Sequence, residues 1–453
     1  MKAVHLNLGH ITLTIDVPHE TDILSMGSCP PLENPKQRIK SALISPNSGH
    51  SLKTIVRQKL DQTPQAKAVV VLSDNTRPVP YKGEEGILLP ILDILMETGL
   101  PPAQIQLLFA TGTHRSMTKD ELKQLLDPRV FSWGLEILQH DCRDSHQLVF
   151  LGKTKDGEDI FINKAYMECE IRILTGLVES HFMAGVSGGR KSICPGLLNE
   201  TSTQILHGGA ILSSPYARNL VLDENPVHEE ATRVAKSAGC DMVINVTLDS
   251  NYRMTEIFSG GLEETLLLAY NKIKSYAAIP IRKKYDIILT HAGFVGINHY
   301  QAAKGAALCA PIIKENGICI LTAHHTDQDP IGGNNYKKMM RILGEIGTQE
   351  FCKKILDPTW TFVPEQWEAQ MWTRLFKKTP PENLLYCTLD IPKEAFSWLP
   401  ETDARSISPD ASSLQELVVK SLNWAIKKKS EQIGRNPEVA ILTDGPYGIP
   451  LFE

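Results

Sequence analysis

His114 stands in the run TGTHR and His181 closes GLVESH. Imidazole is the side chain best suited to accept and return a proton near neutral pH, so two of them at neighbouring loop ends would equip one site for acid–base work. A single histidine is more often a packed or surface residue; it is the pairing that favours chemistry. Arg77 in SDNTRP and Lys304 in YQAAKGAA are suited to holding an anionic substrate, the arginine through a planar fork that matches carboxylate or phosphate. The plain alternative for each is an exposed charge. Asp74, just after a buried run, is placed to bond a ribose hydroxyl or to brace Arg77. Gln301 lies one turn before Lys304 if NHYQAAKGAAL is helical, which puts both on one face.

The stretch ESHFMAGVSGGRKSICPG, residues 179–196, looks like a phosphate loop with one residue out of place. A P-loop has glycine directly before its lysine, so that backbone amides can curl around phosphates. Here Arg190 stands before Lys191. Gly185, Gly188 and Gly189 still allow a backbone to approach a ligand closely, and a helix entered through KSICPG would favour an anion at its start. A lysine held there can be desolvated, lose its proton and become a nucleophile or acyl acceptor. His207, in NETSTQILHGG, has no H-x-x-x-H partner, so a metal bound there needs other ligands from elsewhere. Nine scattered cysteines without a C-x-x-C spacing argue against a disulfide framework and against a zinc or iron–sulfur site. Cys194 lies inside the loop, with packing its simpler use.

The elements that must position these residues are short apolar runs, each followed by polar residues and a helical pattern. They are AKAVVVLSDNTRPVP, IQLLFATGTHR, IRILTGLVESH, CDMVINVTLD, YDIILTHAGF, GICILTAHH and VAILTDGPYG. Buried strands alternating with helices predict an α/β protein whose sheets are mainly parallel and flanked by helices. Ligands in such sheets sit beyond the carboxyl ends of the strands, where SDNTRP, TGTHR, ESH and THAG all fall. A change from helical period to AAIPIRKK predicts a boundary near Pro280. We therefore expect two domains: residues 1–279, cofactor-binding and catalytic, and residues 280–453, closing a cleft that holds the active site. The stretch from Asp357 to Trp398 carries four of six tryptophans and no clean period, and reads as a cover for the cleft or as aromatic surface packing.

The chain has 453 residues, too many for one ordinary core, with 42% hydrophobic and 22% charged residues. A net charge of −5 gives no reason to expect nucleic acid or a membrane surface as partner. No apolar run approaches the roughly 18 residues that cross a bilayer, and MKAVHLNLGHITLTID alternates like a strand, without the apolar block of a signal peptide. A cytoplasmic protein is the expectation.

Taken in order, LSDNTRPVP, TGTHR, ESHFMAGVSGGRKSICPG, the histidine of LHGG and HYQAAKGAA resemble the nickel-dependent lactate racemase family. The resemblance spans roughly residues 70 to 310 and implies a racemase or epimerase of 2-hydroxy acids, an isomerase. In the family a lysine of the glycine-rich loop carries, through a thioamide, a pyridinium-3,5-bisthiocarboxylic acid mononucleotide that grips nickel as a pincer. The resemblance makes Lys191 the attachment residue, His207 the nickel ligand, and His114 and His181 the acid–base pair. It makes Arg77, Gln301 and Lys304 orienting groups for substrate or cofactor, Asp74, Gly188 and Gly189 nucleotide contacts, and Trp367 an aromatic wall. It further implies a small 2-hydroxy acid substrate, hydride transfer, and partner proteins that make the cofactor and insert nickel. Two other readings stay open at this point: a nucleotide- or metal-binding protein that uses the glycine loop without turnover, and a hydrolase with His114 or His181 as base, for which no serine elbow is present.

Overall fold

In the computed structural model, which describes residues 1–155, 157–249 and 251–453, all seven apolar runs form strands. They are divided between two compact units. One unit comprises Ser28–His207 and Ser214–Ser275. Its six-stranded sheet runs Met254–Gly260, Met242–Leu248, Ile171–Leu177, Ala68–Ser73, Ile105–Ala110, Glu136–Gln139, and every neighbouring pair is parallel except the first. Both faces are covered, as the apolar runs require. Val70, Leu72, Leu107, Phe109 and Ile173 point to one side, against Ile39, Leu43, Leu88, Ile91 and Leu95. Val69, Val71, Leu108, Leu174 and Val243 point to the other, against Ile193, Cys194, Leu197, Leu206 and Val234. This period-two division packs the glycine-rich segment onto the sheet through Ile193 and Cys194.

The other unit comprises Met1–Gly27, Gly208–Ser213 and Tyr276–Glu453. Its six-stranded sheet is parallel throughout, in the order Thr402–Asp403, Leu384–Cys387, Ile313–Thr322, Tyr285–His291, Val439–Leu442, Asp22–Leu24. The expected first domain, 1–279, is corrected at its start, because residues 1–27 fold with the C-terminal half. The hairpin of Lys2–Asn7 and Thr12–Val17 buries Val4, Leu6, Leu13, Ile15 and Val17 in a core shared with Ile287, Leu289, Ile320 and Leu417, and Asp22–Leu24 pairs with Ala440–Leu442. Alternation marks the hairpin as a strand pair but carries no information about which core its apolar face will join.

The tryptophan-rich stretch is regular and largely buried where it forms elements. It holds the helix Gln366–Phe376, in which only Arg374 is not buried, and the sheet strand Leu384–Cys387, a four-residue run too short to stand out as a strand. His291 of THAG is also structural: its ring is buried, with Nε2 bonded to the Thr443 carbonyl and Nδ1 accepting the Gly293 N–H.

Candidate active site

In the first unit the strands Ile105–Ala110, Ala68–Ser73 and Ile171–Leu177 are adjacent and parallel, so the loops that follow them open on one edge of the sheet. Asp74 follows the central strand and His114 the loop of its neighbour. The Asp74 carboxylate, only 4% exposed, lies 2.7 Å from His114 Nδ1 through Oδ2, while Oδ1 accepts the Thr76 N–H and hydroxyl at 3.1 and 2.6 Å. Burial alone would raise the Asp74 pKa, but the bonds from His114 and Thr76 and the charge on His114 outweigh it and hold the carboxyl below its ordinary value. An ionised Asp74 accepts a hydrogen from Nδ1, so in its neutral form His114 carries its lone pair on Nε2. Asp74 thus braces His114 rather than Arg77.

Arg77 instead forms an ion pair with Glu179, at the end of the third strand, both side chains being half-buried. Nothing in the spacing of Glu179 within ESHFMAG says which cation it meets. Its backbone is tied to the glycine loop by Glu179 N–H to Ser187 Oγ, 3.0 Å, and Ser187 N–H to the Glu179 carbonyl, 2.9 Å. His181 lies in a two-residue ladder with Gly185, and its Nδ1 accepts the N–H groups of Met183 and Ala184 at 3.2 Å. The hydrogen of its neutral ring therefore sits on Nε2, the tautomer opposite to that of His114.

The segment carrying Lys191 explains its own departure from a P-loop. Arg190 is buried and donates through Nη1 to the Ser187 carbonyl and through Nη2 to those of Ala184 and Val186, at 3.0 to 3.1 Å. Glycine in its place would take the guanidinium donors from those three carbonyls, of which that of Ala184 also accepts the Val186 N–H at 2.9 Å. Burial lowers its pKa to about 10. The helix expected through KSICPG is a single turn, Arg190–Ile193, too short to act as a dipole for an anion. The glycines first serve packing against protein. A Cβ at Gly189 would meet Val243 Cγ1 at 2.5 Å, one at Gly185 the Val221 carbonyl at 2.2 Å, and the Gly189 N–H is taken by Asn245 Oδ1 at 2.8 Å. Arg190→Met should lower the stability of this unit by about 3 kcal/mol, because three carbonyls lose their guanidinium donors at once, and Arg190→Lys should restore less than half of the loss since an ammonium has no fork. Urea denaturation followed by near-ultraviolet dichroism reads both.

His207 caps the C-terminal end of the helix Glu200–Leu206, whose start is capped by Asn199. Its Nδ1 donates to the Thr203 carbonyl at 2.9 Å, one turn back. Burial, with the positive charge of Lys191 added, lowers its pKa to about 4. The ring is therefore neutral at pH 7, with its hydrogen on Nδ1. Among the described residues no three His, Cys, Asp or Glu side chains gather to hold a metal by themselves.

The remaining candidates lie in the second unit, on two helices packed together. Gln301 and Lys304 do share one face of the helix His299–Cys309, with Lys304 Nζ donating to Gln301 Oε1 at 2.5 Å. Trp367, buried on the helix Gln366–Phe376, donates its indole N–H to the Tyr300 hydroxyl at 2.8 Å. The start of the first helix is fixed by His299, whose Nε2 meets Glu401 and whose Nδ1 meets the Tyr336 hydroxyl, each at 2.7 Å. Tyr300 stands inside HYQAAKGAA, where its spacing gives no sign of the bond to Trp367.

Comparison with known proteins bears on both units. Residues 8–219 match the lactate racemase N-terminal domain and residues 281–395 the lactate racemase C-terminal domain. The lactate racemase of Thermoanaerobacterium thermosaccharolyticum is 30% identical over 385 residues, 83% of this chain and 86% of that protein. The chain belongs to the lactate racemase family. A second member, the lactate racemase of Lactiplantibacillus plantarum, is 28% identical over 413 residues, 90% of this chain and 89% of its own. The structure of the lactate racemase apoprotein from T. thermosaccharolyticum superposes with a TM-score of 0.83 at 26% identity, covering 99% of this chain and all of that one. Membership makes this chain an isomerase of the racemase class, acting on a small molecule. No helix among the described residues is long and apolar enough to cross a membrane.

Proposed function

We propose that the chain inverts C2 of a 2-hydroxy acid, lactate or a close relative, with a nickel-holding pyridinium-3,5-bisthiocarboxylic acid mononucleotide joined to Lys191 and with His207 as the protein's nickel ligand. The observation that carries this reading is the state of His207. Its Nδ1 is committed to a backbone carbonyl, its ring is neutral, and it lies within electrostatic reach of Lys191. A ligand histidine is ordinarily oriented by such a bond from its other nitrogen, and a single protein ligand suits a metal held mainly by an organic group. When bound, that group supplies a carbon–nickel unit able to take up the C2 hydrogen as hydride and give it back.

The chain's own residues do the rest. Removing the C2 hydrogen as a proton would place a carbanion beside an existing carboxylate, and removal as hydride avoids that species. The hydroxyl proton must then leave. His114, with its lone pair on Nε2, takes it from one stereoisomer, while His181 presents Nε2–H to the substrate oxygen. A planar 2-keto acid remains, and when it turns before the hydrogen returns, the configuration inverts. The opposite direction needs a lone pair on His181 Nε2, so the His181 hydrogen moves to Nδ1 and the Met183 and Ala184 N–H groups lose that acceptor, while His114 carries the proton on Nε2. Arg77, beside Glu179, and Lys304, beside Gln301, are each a cation suited to hold the carboxylate. Asp74, Gly188 and Gly189 border the nucleotide, and Trp367 offers it or the substrate an apolar wall. The lysine adduct and the nickel are supplied by cofactor-making and nickel-inserting proteins, and the whole cycle runs in the cytoplasm.

Intact mass with metal analysis tests the reading on protein produced beside the cofactor-making enzymes. A mass increment confined to the Lys191 peptide, nickel in the sample, and inversion of one or more members of a 2-hydroxy acid panel on a chiral column are expected. His207→Ala should keep the increment and lose the nickel. Fully active protein with an unmodified Lys191 would sink the proposal, and reversible nucleotide binding without exchange of the C2 hydrogen would replace it with a binding function.

A further inference from the structure

Glu368 lies one residue after Trp367, on the helix that packs against the one bearing Tyr300, Gln301 and Lys304. It is 3% exposed, and its Oε2 is buried without a hydrogen-bond partner. An acid in the first turn of a helix ordinarily serves the exposed amides there, yet this one is withdrawn into the protein, and Glu365 at the cap makes no side-chain capping bond. Its electrostatic neighbours come from three helices. Lys304 comes from the packed helix, Arg374 from its own, Glu365 from the cap, and the hydroxyls of Tyr300 and Tyr336 from the helices His299–Cys309 and Asn334–Leu356. Two cations against one further carboxylate would favour an ionised Glu368. Burial opposes that and wins, pushing its pKa up to about 8.

We propose that Glu368 is a positioning residue for Lys304: as the uncharged acid it leaves the lysine's charge to the substrate carboxylate, and as the carboxylate it claims that charge for itself. The proposal rests on reading Lys304 as an anchor for the substrate. An anionic substrate and an ionised Glu368 then compete for one ammonium, so substrate binding weakens as Glu368 loses its proton. The uncharged fraction falls from about one half at pH 8 to about one tenth at pH 9, and KM should rise about fivefold over that unit.

Kinetics of the loaded enzyme from pH 6.5 to 9.5 with lactate, for wild type and Glu368→Gln, test this. The wild-type KM should climb above pH 8 while kcat changes less, and the variant, which cannot ionise, should lose that climb. A merely structural role would alter both proteins alike at every pH. A second measurement needs no turnover: carbon NMR of protein labelled at glutamate carboxyls should show one resonance titrating above neutrality, absent from Glu368→Gln and moved to higher pH by added lactate. A variant whose KM still climbs, or glutamates that all titrate in the ordinary range, would overturn the assignment. Absence of turnover on the whole panel, with the lactate-sensitive resonance present, would instead remove the racemase reading and keep the role of Glu368.

Discussion

Lys191→Ala protein should melt within about 2 °C of wild type and yet show no inversion of any 2-hydroxy acid, a loss of at least about 10⁶-fold, the low end of enzymatic acceleration. Stability is spared because the segment is held by its neighbours. Arg190 satisfies the loop carbonyls, Ile193 and Cys194 fill the core against Val71 and Leu174, and the Lys191 side chain belongs to neither set. Activity is lost because the lysine supplies the only proposed covalent bond to the reacting group. Lys191→Arg separates attachment from charge: it keeps a cation near His207 but offers no amine that can form the thioamide, and it should be as inactive as the alanine variant. A Lys191→Arg enzyme with substantial turnover would show that the residue serves as a charge, and the attachment would have to be sought elsewhere. Intact mass and a chiral assay on the same sample decide the matter.

Replacing either His114 or His181 with alanine should reduce racemisation in both directions by about 10² to 10⁴-fold, the range for a lost general acid or base. Each stereoisomer delivers its hydroxyl proton to its own side, so the net reaction needs both rings. The two variants should differ in stability. His114→Ala removes the partner of a buried carboxylate, Asp74, and should cost about 1 to 2 kcal/mol near pH 7. Asp74 has a depressed pKa in the folded state, so its contribution is present above the ordinary value of 3.8 and is lost as the pH falls through the lower, folded one. The gap between wild type and His114→Ala should therefore narrow in acid, which denaturation midpoints at pH 7 and pH 3 will show. His181→Ala takes the acceptor from the N–H groups of Met183 and Ala184 and strands no charge, so its cost should be the smaller of the two. Wild-type racemisation rates in both variants would refute the two-ring assignment.

The strands were legible because a buried parallel strand is continuously apolar over five to seven residues, as in AVVVLS and IRILTGL, and few other environments tolerate that. The shared edge was legible for the same reason: once the strands are parallel, the residues after them have one side to occupy. Leu384–Cys387 escaped notice because four apolar residues amid prolines and tryptophans carry no periodic signal. The roles of Arg190 and Asn245 were hidden as well. Both act on backbone atoms, Arg190 on carbonyls three to six residues away and Asn245 on the amide of Gly189, and nothing in a side chain's identity announces that use.

By itself, then, the sequence determined the residue types available for chemistry, the strand-and-helix alternation and the edge of the sheet on which Asp74, Arg77, His114, Glu179 and His181 must stand, because these follow from local pattern and chain direction. Tertiary structure decided the pairings. Asp74 could have met Arg77, but meets His114. His114 and His181 could have been alike, but their Nδ1 atoms face a carboxylate in one case and amide hydrogens in the other, which favours opposite neutral tautomers. The N-terminal hairpin could have joined the residues after it, but its apolar face is buried in the core of the C-terminal sheet. Each outcome depends on which groups meet across long stretches of chain, and a hydrogen bond or a buried contact is worth its free energy only at contact distance, so it is fixed by packing and not by spacing along the sequence.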